Sequence, residues 1–210
     1  MIMGKFRLHI LALLMMLVLL SSCNSHQPQE AIRVESDMTI ACRDLYPING
    51  KNQTLSLKLV EGSYSEDWLP GPFMGRNWKG KFQLILADEH GQEISRLNLN
   101  EHFQEELVFN DLFEIQFDDY NGDQAIDFTI GQYGTSNWNV YRLFTITGDH
   151  QIQELKVDRN QELFISGGDR YSIKLEKVDS TSFRTTHYDN AEGKETEITY
   201  TWDGEKFIQT

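Results

Sequence analysis

The sequence has few cysteines and few basic residues. It contains 2 Cys in 210 residues, too few for a disulfide scaffold in a chain of this length. Lys and Arg number 19 against 32 Asp and Glu, which gives a formal net charge of −13. Because nucleic-acid binding depends on basic side chains that neutralise phosphates, no nucleic-acid partner is expected. The same acidity disfavours polybasic attachment to an anionic lipid surface.

The sequence also lacks an apolar run long enough for a membrane-spanning helix. Lys5 and Arg7 precede an apolar run over 8–20, and two serines follow it. A spanning helix needs about 20 apolar residues, so this order of basic, apolar and small residues predicts a cleaved secretory signal over 1–22. Its removal takes away two positive charges, and the mature net charge becomes −13 − 2 = −15.

The end of this signal, Leu20-Ser21-Ser22-Cys23, resembles the lipobox of bacterial lipoproteins. The resemblance implies that the signal is cut before Cys23, that Cys23 carries lipid, and that the protein faces outside the cytoplasm on a bacterial membrane. Two or more acyl chains anchor a protein firmly without a helix. The alternative is an ordinary cleaved signal followed by a chance cysteine, which would leave a reactive thiol near the new N-terminus.

Residues 23–37 are polar and carry little apolar periodicity, which predicts a tether between the lipid and the folded part. The folded part is then 38–210, with a possible subdivision near 148, where the composition shifts. Cys42 lies in the apolar stretch that opens this domain and is expected to be a buried, inert thiol.

Alternating apolar and polar residues dominate the mature chain and predict strands with one buried face. The clearest such segments are 53–59, 81–86, 112–117, 139–146, 171–175 and 195–202. Turn-forming residues at 89–91, 147–149, 190–193 and 203–204 leave no room for crossover helices, so antiparallel pairing is expected. The spacing of a capping box makes 98–106 the helix candidate. The predicted fold is mainly β, an antiparallel sandwich or partly closed barrel with one short helix.

One acidic segment carries residue types that bind a hard cation. Asp119, Asn121, Asp123 and Asp127 occupy positions 1, 3, 5 and 9 of a loop between two predicted strands, and Ala125 lies at position 7. Oxygen ligands at alternate positions can surround a calcium ion, and position 7 would contribute its backbone carbonyl. Without a cation the carboxylates would repel one another and raise each other's pKa.

The segment 119–128 resembles the calcium loop of FG-GAP and VCBS-type repeats, D-x-N-x-D-G-x-x-D-hydrophobic. The resemblance implies that the three aspartates and the asparagine are side-chain ligands and that Phe128 begins the outgoing strand. Gln124 departs from the pattern, because a Gly with a left-handed backbone is usual there. The loop occurs once, so a full propeller is not expected. The alternative is an Asp/Asn turn held by local hydrogen bonds.

Three aromatic residues are candidate ligand contacts. Trp68, Tyr133 and Trp138 lie in segments rich in Gly, Pro, Asn or Ser, a composition that suits binding loops. The alternative is that these rings fill the core or cover sheet edges, which is the expectation for Trp78.

The sequence contains no H-E-x-x-H, paired-Cys, G-x-S-x-G or phosphate-loop motif. It therefore predicts a non-enzymatic, lipid-anchored protein of the cell envelope, stabilised by calcium, that binds an unknown protein or glycan partner. The alternative is a cell-envelope hydrolase that acts on glycan or peptide through paired carboxylates. A concave cleft with two carboxylates beside the aromatic rings would favour the hydrolase.

Overall fold

The computed structural model describes residues 30–35, 37–158 and 162–210. The predicted signal and Cys23 lie outside these residues. Within them the chain forms three antiparallel sheets of six, five and four strands. The prediction of a mainly antiparallel β fold with one short helix is confirmed, and the described sheets form neither a closed barrel nor a propeller.

The first sheet is built on one long hairpin. Its strands are β1 (Ile32–Val34), β2 (Met38–Asp44), β3 (Gln53–Asp67), β4 (Gly75–Asp88), β5 (Glu93–Asn98) and β6 (Val108–Phe109). β3 and β4 pair along their whole length, from Gln53 with Asp88 to Asp67 with Gly75. β1 and β2 follow one another along the free side of β3, and β5 and β6 do the same along β4. The short helix α1 (Tyr46–Asn49) joins β2 to β3.

β1 lies inside the range predicted as a polar tether. Ile32 pairs with Tyr64, and Val34 pairs with Gly62. Ile32 and Val34 alternate with polar neighbours, which is the pattern of a short strand. The paired part of the protein therefore begins before Met38, and the segment available as a tether ends at Ala31.

Cys42 is exposed, so the prediction of a buried thiol is wrong. A bulge in β2 explains the difference, because the register passes from Thr39–Lys58 to Ala41–Leu57 and leaves Ile40 as an extra residue. An extra residue reverses the alternation beyond it. Ile40 and Ala41 are both buried, and Cys42 then takes the solvent face.

The second sheet forms the middle layer. Its strands are β7 (Phe117–Asp118), β8 (Ile126–Tyr133), β9 (Asn139–Ile146), β10 (Ile152–Glu154) and β11 (Leu163–Ile165). Phe128 and Ile130 of β8 join the core cluster shared with the first sheet. Tyr141 and Leu143 of β9 belong to a second cluster, which includes Phe183 of the third sheet. The middle sheet is thus covered on both faces, which explains why β8 is almost wholly buried.

The third sheet is a C-terminal meander. Its strands are β12 (Glu176–Lys177), β13 (Ser182–Asp189), β14 (Lys194–Trp202) and β15 (Phe207–Gln209). All four predicted turns connect neighbouring strands, at 89–91, 147–149, 190–193 and 203–204. The position near 148, considered as a subdivision, is the turn between β9 and β10 of the middle sheet.

Two of the predicted strands are wrong. Of 112–117, only Phe117 enters a strand, and 171–175 has no ladder of its own. In both segments backbone N–H groups bond to side chains instead. Gln116 N donates to Ser172 Oγ at 2.9 Å, Ile173 N donates to Thr129 Oγ1 at 2.8 Å, and Leu175 N donates to Tyr120 Oη at 2.9 Å. Such bonds satisfy the backbone outside a regular sheet.

The predicted helix at 98–106 is reduced to a 3-10 turn at Leu99–Glu101. The Asn98 side chain donates to the Glu101 carboxylate at 2.9 Å instead of capping the backbone. Among the described residues, no helix has the length and apolar character needed to cross a membrane.

Candidate metal loop and aromatic clefts

The acidic loop joins β7 to β8. Phe117 pairs with Phe128, and Asp118 pairs with Asp127, so the short ladder holds the two ends of the loop side by side. The loop therefore reverses the chain within 119–125.

Carboxylate oxygens organise the backbone of this loop. Asp119 accepts the N–H of Gly122 at 2.7 Å on one oxygen and the N–H of Gln124 at 3.0 Å on the other. Asp123 Oδ1 accepts the N–H of Ala125 at 2.7 Å. Each of these oxygens keeps a second lone pair that can still face a cation.

Gln124 has the left-handed backbone conformation, with φ of 66°. The conformation that the resemblance expects of Gly at this position is therefore present with a Gln in its place. A side chain in this region costs roughly 1 kcal/mol relative to Gly. The bond from Gln124 N to the Asp119 carboxylate holds the strained residue in place.

Asp127 is 0% exposed. Its Oδ2 accepts the N–H of Tyr120 at 2.8 Å, while its Oδ1 has no hydrogen bond of regular geometry. Burial is the main reason why the pKa of Asp127 is raised to about 7, and the charges of Asp123 and Asp119 add to the rise. The Tyr120 N–H and the Thr145 hydroxyl lower the pKa but do not offset the effect of burial. A carboxylate in this setting is costly in its ionised form unless a cation neutralises it.

Asp118, the ladder partner of Asp127, has cations beside it. Burial alone would raise the pKa of Asp118, but the Asp119 N–H together with Lys174 and Lys177 outweighs burial and holds the pKa below its usual value. Both lysines lie 3.2 Å from its carboxylate. Among the described residues, the loop carboxylates of Asp119, Asp123 and Asp127 make no such ion pair.

The third sheet fixes the position of the loop. The ring of Tyr120 is fully buried and packs edge-on against Phe183, with ring centroids 5.7 Å apart. A Cβ on Gly122 would lie 3.1 Å from both Ser180 O and Thr181 Cγ2. The loop backbone is therefore anchored at its second and fourth residues.

The donor set suits a hard cation, although the side chains do not converge on one point. In the described residues no group of three or more His, Cys, Asp or Glu side chains stands close enough together to hold a metal ion. The backbone fits the calcium loop at Gln124, and the orphaned Oδ1 of buried Asp127 is the kind of oxygen a cation satisfies. Calcium binding would require Asp119 and Asp123 to turn within the loop.

The structure brings two of the three predicted aromatic contacts together. Tyr133 ends β8 and Trp138 precedes β9, and both rings are half-buried. They line a cleft of about 250 Å³ whose wall includes Phe103. They also line a second cleft of about 310 Å³, on the side of Gly167.

Arg170, which the sequence did not mark as a candidate, connects these clefts to the first sheet. The guanidinium of Arg170 lies over the rings of Phe73, Tyr133 and Tyr171, at 5.7, 5.4 and 5.8 Å from their centroids. It also lines the second cleft and a further hollow of about 530 Å³ beside Tyr171. No local pattern marks Arg170, because only Tyr171 is its neighbour in sequence, and Phe73 and Tyr133 come from distant parts of the chain.

Trp68 lies apart from the clefts. It is 59% exposed at the end of the β3–β4 hairpin, and its indole N–H donates to Glu66 at 3.0 Å. Trp78 is buried in the first core cluster, as predicted.

Two carboxylates also line the first cleft, those of Glu105 and Glu162. Glu162 accepts a hydrogen bond from Arg142 at 3.1 Å, whereas Glu105 is exposed. Hydrolysis of a glycosidic bond needs an acid with a raised pKa. The carboxyl group of Asp127 has its pKa raised above its usual value, but Asp127 does not line this cleft.

The chain matches no protein-family model, no curated protein and no solved structure.

Proposed function

We propose that this protein is a lipid-anchored, non-enzymatic binding module of the bacterial cell envelope, with a β domain stabilised by calcium. The observation that carries the calcium part is the fully buried Asp127, which lies beside two further carboxylates without a basic partner among the described residues. The lipid on Cys23 rests on the lipobox resemblance alone.

Calcium would be held by the side-chain oxygens of Asp119, Asn121, Asp123 and Asp127 and by the carbonyl of Ala125. It would remove the repulsion among the carboxylates and the cost of the buried charge. An incomplete loop suits the weak affinities of extracellular modules, about 0.1–1 mM. The role of the ion is structural, because the loop lies between two sheets and apart from both aromatic clefts.

Thermal unfolding with and without calcium tests this proposal. With such affinities, 10 mM calcium stabilises the folded state by about 1.4–2.7 kcal/mol. We expect the melting temperature to rise by roughly 3–10 °C, and Asp123→Ala to abolish the rise.

Asp203→Ala is the matched control. Asp203 also caps a tight turn, because its Oδ1 accepts the N–H groups of Glu205 and Lys206 at 2.8 and 2.9 Å. Both variants lose a turn-stabilising carboxylate, but only Asp123→Ala should lose the response to calcium. Equal melting temperatures in calcium and in chelator for the unmodified protein would refute the calcium part.

Binding would use the first cleft, of about 250 Å³, which Tyr133 and Trp138 both line. A cleft lined by two half-buried rings together with polar side chains such as Gln104, Gln132 and Thr135 is a usual form of a ligand site, and flat rings suit the faces of sugars. We expect Trp138→Ala to weaken capture of the partner by the purified protein, while Trp202→Ala, in the third sheet, preserves it. Capture that is unaffected by Trp138→Ala would exclude this cleft.

The hydrolase remains the alternative, and the two carboxylates of the first cleft are the observation in its favour. Incubation of the protein with isolated cell envelope separates the two functions. A stoichiometric complex with the polymer left intact supports the binding module, and progressive loss of the polymer that Glu105→Gln abolishes supports the hydrolase.

The anchor has its own test. We expect Cys23→Ala to release the protein from the membrane fraction, because the acyl chains supply the membrane affinity. Retention of the variant in that fraction would contradict lipidation at Cys23.

A further inference from the structure

The turn between β3 and β4 exposes a compact set of large apolar side chains. Trp68 and Leu69 are each 59% exposed, and Met74 is 52% exposed. The three residues lie within one turn of seven residues, 68–74. Large apolar side chains that are grouped and exposed in one turn are a candidate interaction surface.

The turn is held by hydrogen bonds at three points. Asp67 accepts the N–H of Leu69 at 2.9 Å, Asn77 donates to Phe73 O at 2.8 Å, and Arg170 donates to Pro72 O at 2.7 Å. The apolar side chains are therefore presented outward by an ordered backbone.

The pairing of β1 shows where the N-terminal chain approaches the domain. β1 runs antiparallel to β3, with Val34 opposite Gly62 and Ile32 opposite Tyr64. Since β3 runs toward the 68–74 turn, the chain before Ile32 enters from the turn end of the hairpin. Ile32 is itself 59% exposed at this end.

The distances allow the lipid and the turn to reach the same surface. Cys23 precedes Ile32 by 32 − 23 = 9 residues, which span at most about 30 Å. Leu69 lies five residues beyond Tyr64, about 17 Å along an extended chain. A lipid on Cys23 and the side chains of Trp68, Leu69 and Met74 can therefore reach the same membrane surface.

We infer that the 68–74 turn is a membrane-contact surface that inserts Trp68, Leu69 and Met74 into the interfacial region of the bilayer holding the lipid. The inference rests on the proposed lipid at Cys23. Tryptophan is enriched at this depth because its ring is apolar while its N–H can bond, and here the N–H is already held by Glu66. The contact is apolar, since the mature net charge of −15 opposes attraction to anionic lipids.

Quenching by brominated phosphatidylcholine tests the contact. The lipidated protein is reconstituted into phosphatidylcholine vesicles, and its tryptophan fluorescence is compared with and without bromine on the acyl chains. Trp68 is one of four tryptophans, so we expect a loss of about a quarter of the emission. Trp68→Phe should remove this loss. Trp138→Phe, which changes a tryptophan of the clefts, should leave it in place.

A second preparation separates this inference from the lipidation of Cys23. The mature chain with Cys42→Ser is coupled through the Cys23 thiol to maleimide-bearing phosphatidylcholine vesicles, so that it is anchored whether or not the cell lipidates it. Quenching that depends on Trp68 in this preparation supports the contact even if Cys23→Ala leaves cellular localisation unchanged. Unquenched Trp68 on anchored protein, or quenching that Trp68→Phe leaves unaltered, overturns it. Association of the anchored protein into oligomers through Leu69 and Met74, without quenching, also overturns it.

Discussion

The 68–74 turn and the 119–125 loop both reverse the chain between antiparallel strands, but they distribute polar and apolar side chains in opposite ways. The first exposes large apolar groups such as Trp68 to solvent. The second leads into a carboxylate, Asp127, that is wholly removed from solvent. Each arrangement is unfavourable for an isolated domain in water. In both cases we propose that something outside the chain offsets this cost, a bilayer at the 68–74 turn and a calcium ion at the 119–125 loop.

The largest expected effect is the pH dependence that Asp127 imposes on stability. Its folded pKa of about 7 lies above the ordinary value of 3.8, so the folded protein retains a proton that the unfolded chain releases. Stability should therefore fall as pH rises from about 4 to about 7, by roughly 3 kcal/mol without calcium. Denaturant midpoints at pH 5 and pH 8 measure this. Calcium should suppress the fall, and Asp127→Asn should remove it.

Asp118→Asn is the control for this prediction. The pKa of Asp118 is held below its usual value, so its stabilising contribution is present above pH 4 and lost at lower pH. Asp118→Asn should be less stable than the unmodified protein at both pH 5 and pH 8. The decrease in its stability between these two pH values should be the same as in the unmodified protein. Stability that rises from pH 5 to pH 8 in chelator would contradict the buried charge at Asp127.

A smaller effect is expected at Gln124. Gln124→Gly relieves a left-handed side chain and should stabilise the protein by about 0.5–1 kcal/mol, with the calcium response retained. Chemical denaturation in calcium and in chelator measures both quantities. His150 also has a positive φ, 64°, in the turn after β9, and His150→Gly should leave the calcium response unaltered. A Gln124→Gly variant that is destabilised would mean that the loop backbone differs from the one described.

The smallest effect on stability is expected in the 68–74 turn. Leu69→Ser and Met74→Ser should each change the free energy of unfolding by less than about 0.5 kcal/mol, because neither side chain is buried. Phe73→Ala in the same turn should cost more, since its ring packs on Tyr133 with centroids 5.5 Å apart. If all three variants lost equal stability, the exposed side chains would belong to the core and the contrast with the acidic loop would fail.

Alternation in the sequence predicted β3, β4, β9 and β14, which are paired on both edges, but it missed β8 and β13 and failed where hydrogen bonds to side chains replace the ladder. β9 was predicted with its bounds, 139–146, because both its neighbours are regular strands. The 171–175 segment has the same alternation, but its N–H groups bond to Thr129 and Tyr120. Such partners are distant in sequence, so periodicity cannot distinguish the two cases.

In the candidate sites, too, the sequence predicted groups of residues that are close in the chain and missed those that only packing brings together. The Asp119–Asp127 pattern could be predicted from the sequence because all its members lie in one short, continuous segment. The burial of Asp127, which gives the loop its electrostatic character, depends on the third sheet and was not predictable. The cluster around Arg170 was missed, since Phe73 and Tyr133 reach it only after the first and middle sheets pack.

The pairing of β1 with β3 has a mechanical consequence. A pull on the chain before Ile32, directed toward the 68–74 turn, acts along the strand axis and loads the hydrogen bonds of this short ladder together. A pull from the opposite direction would open them one after another, starting at a single end. With the lipid proposed at Cys23, the strand would work as a clamp under tension from the membrane side, because the load would reach β1 before the middle sheet and its acidic loop.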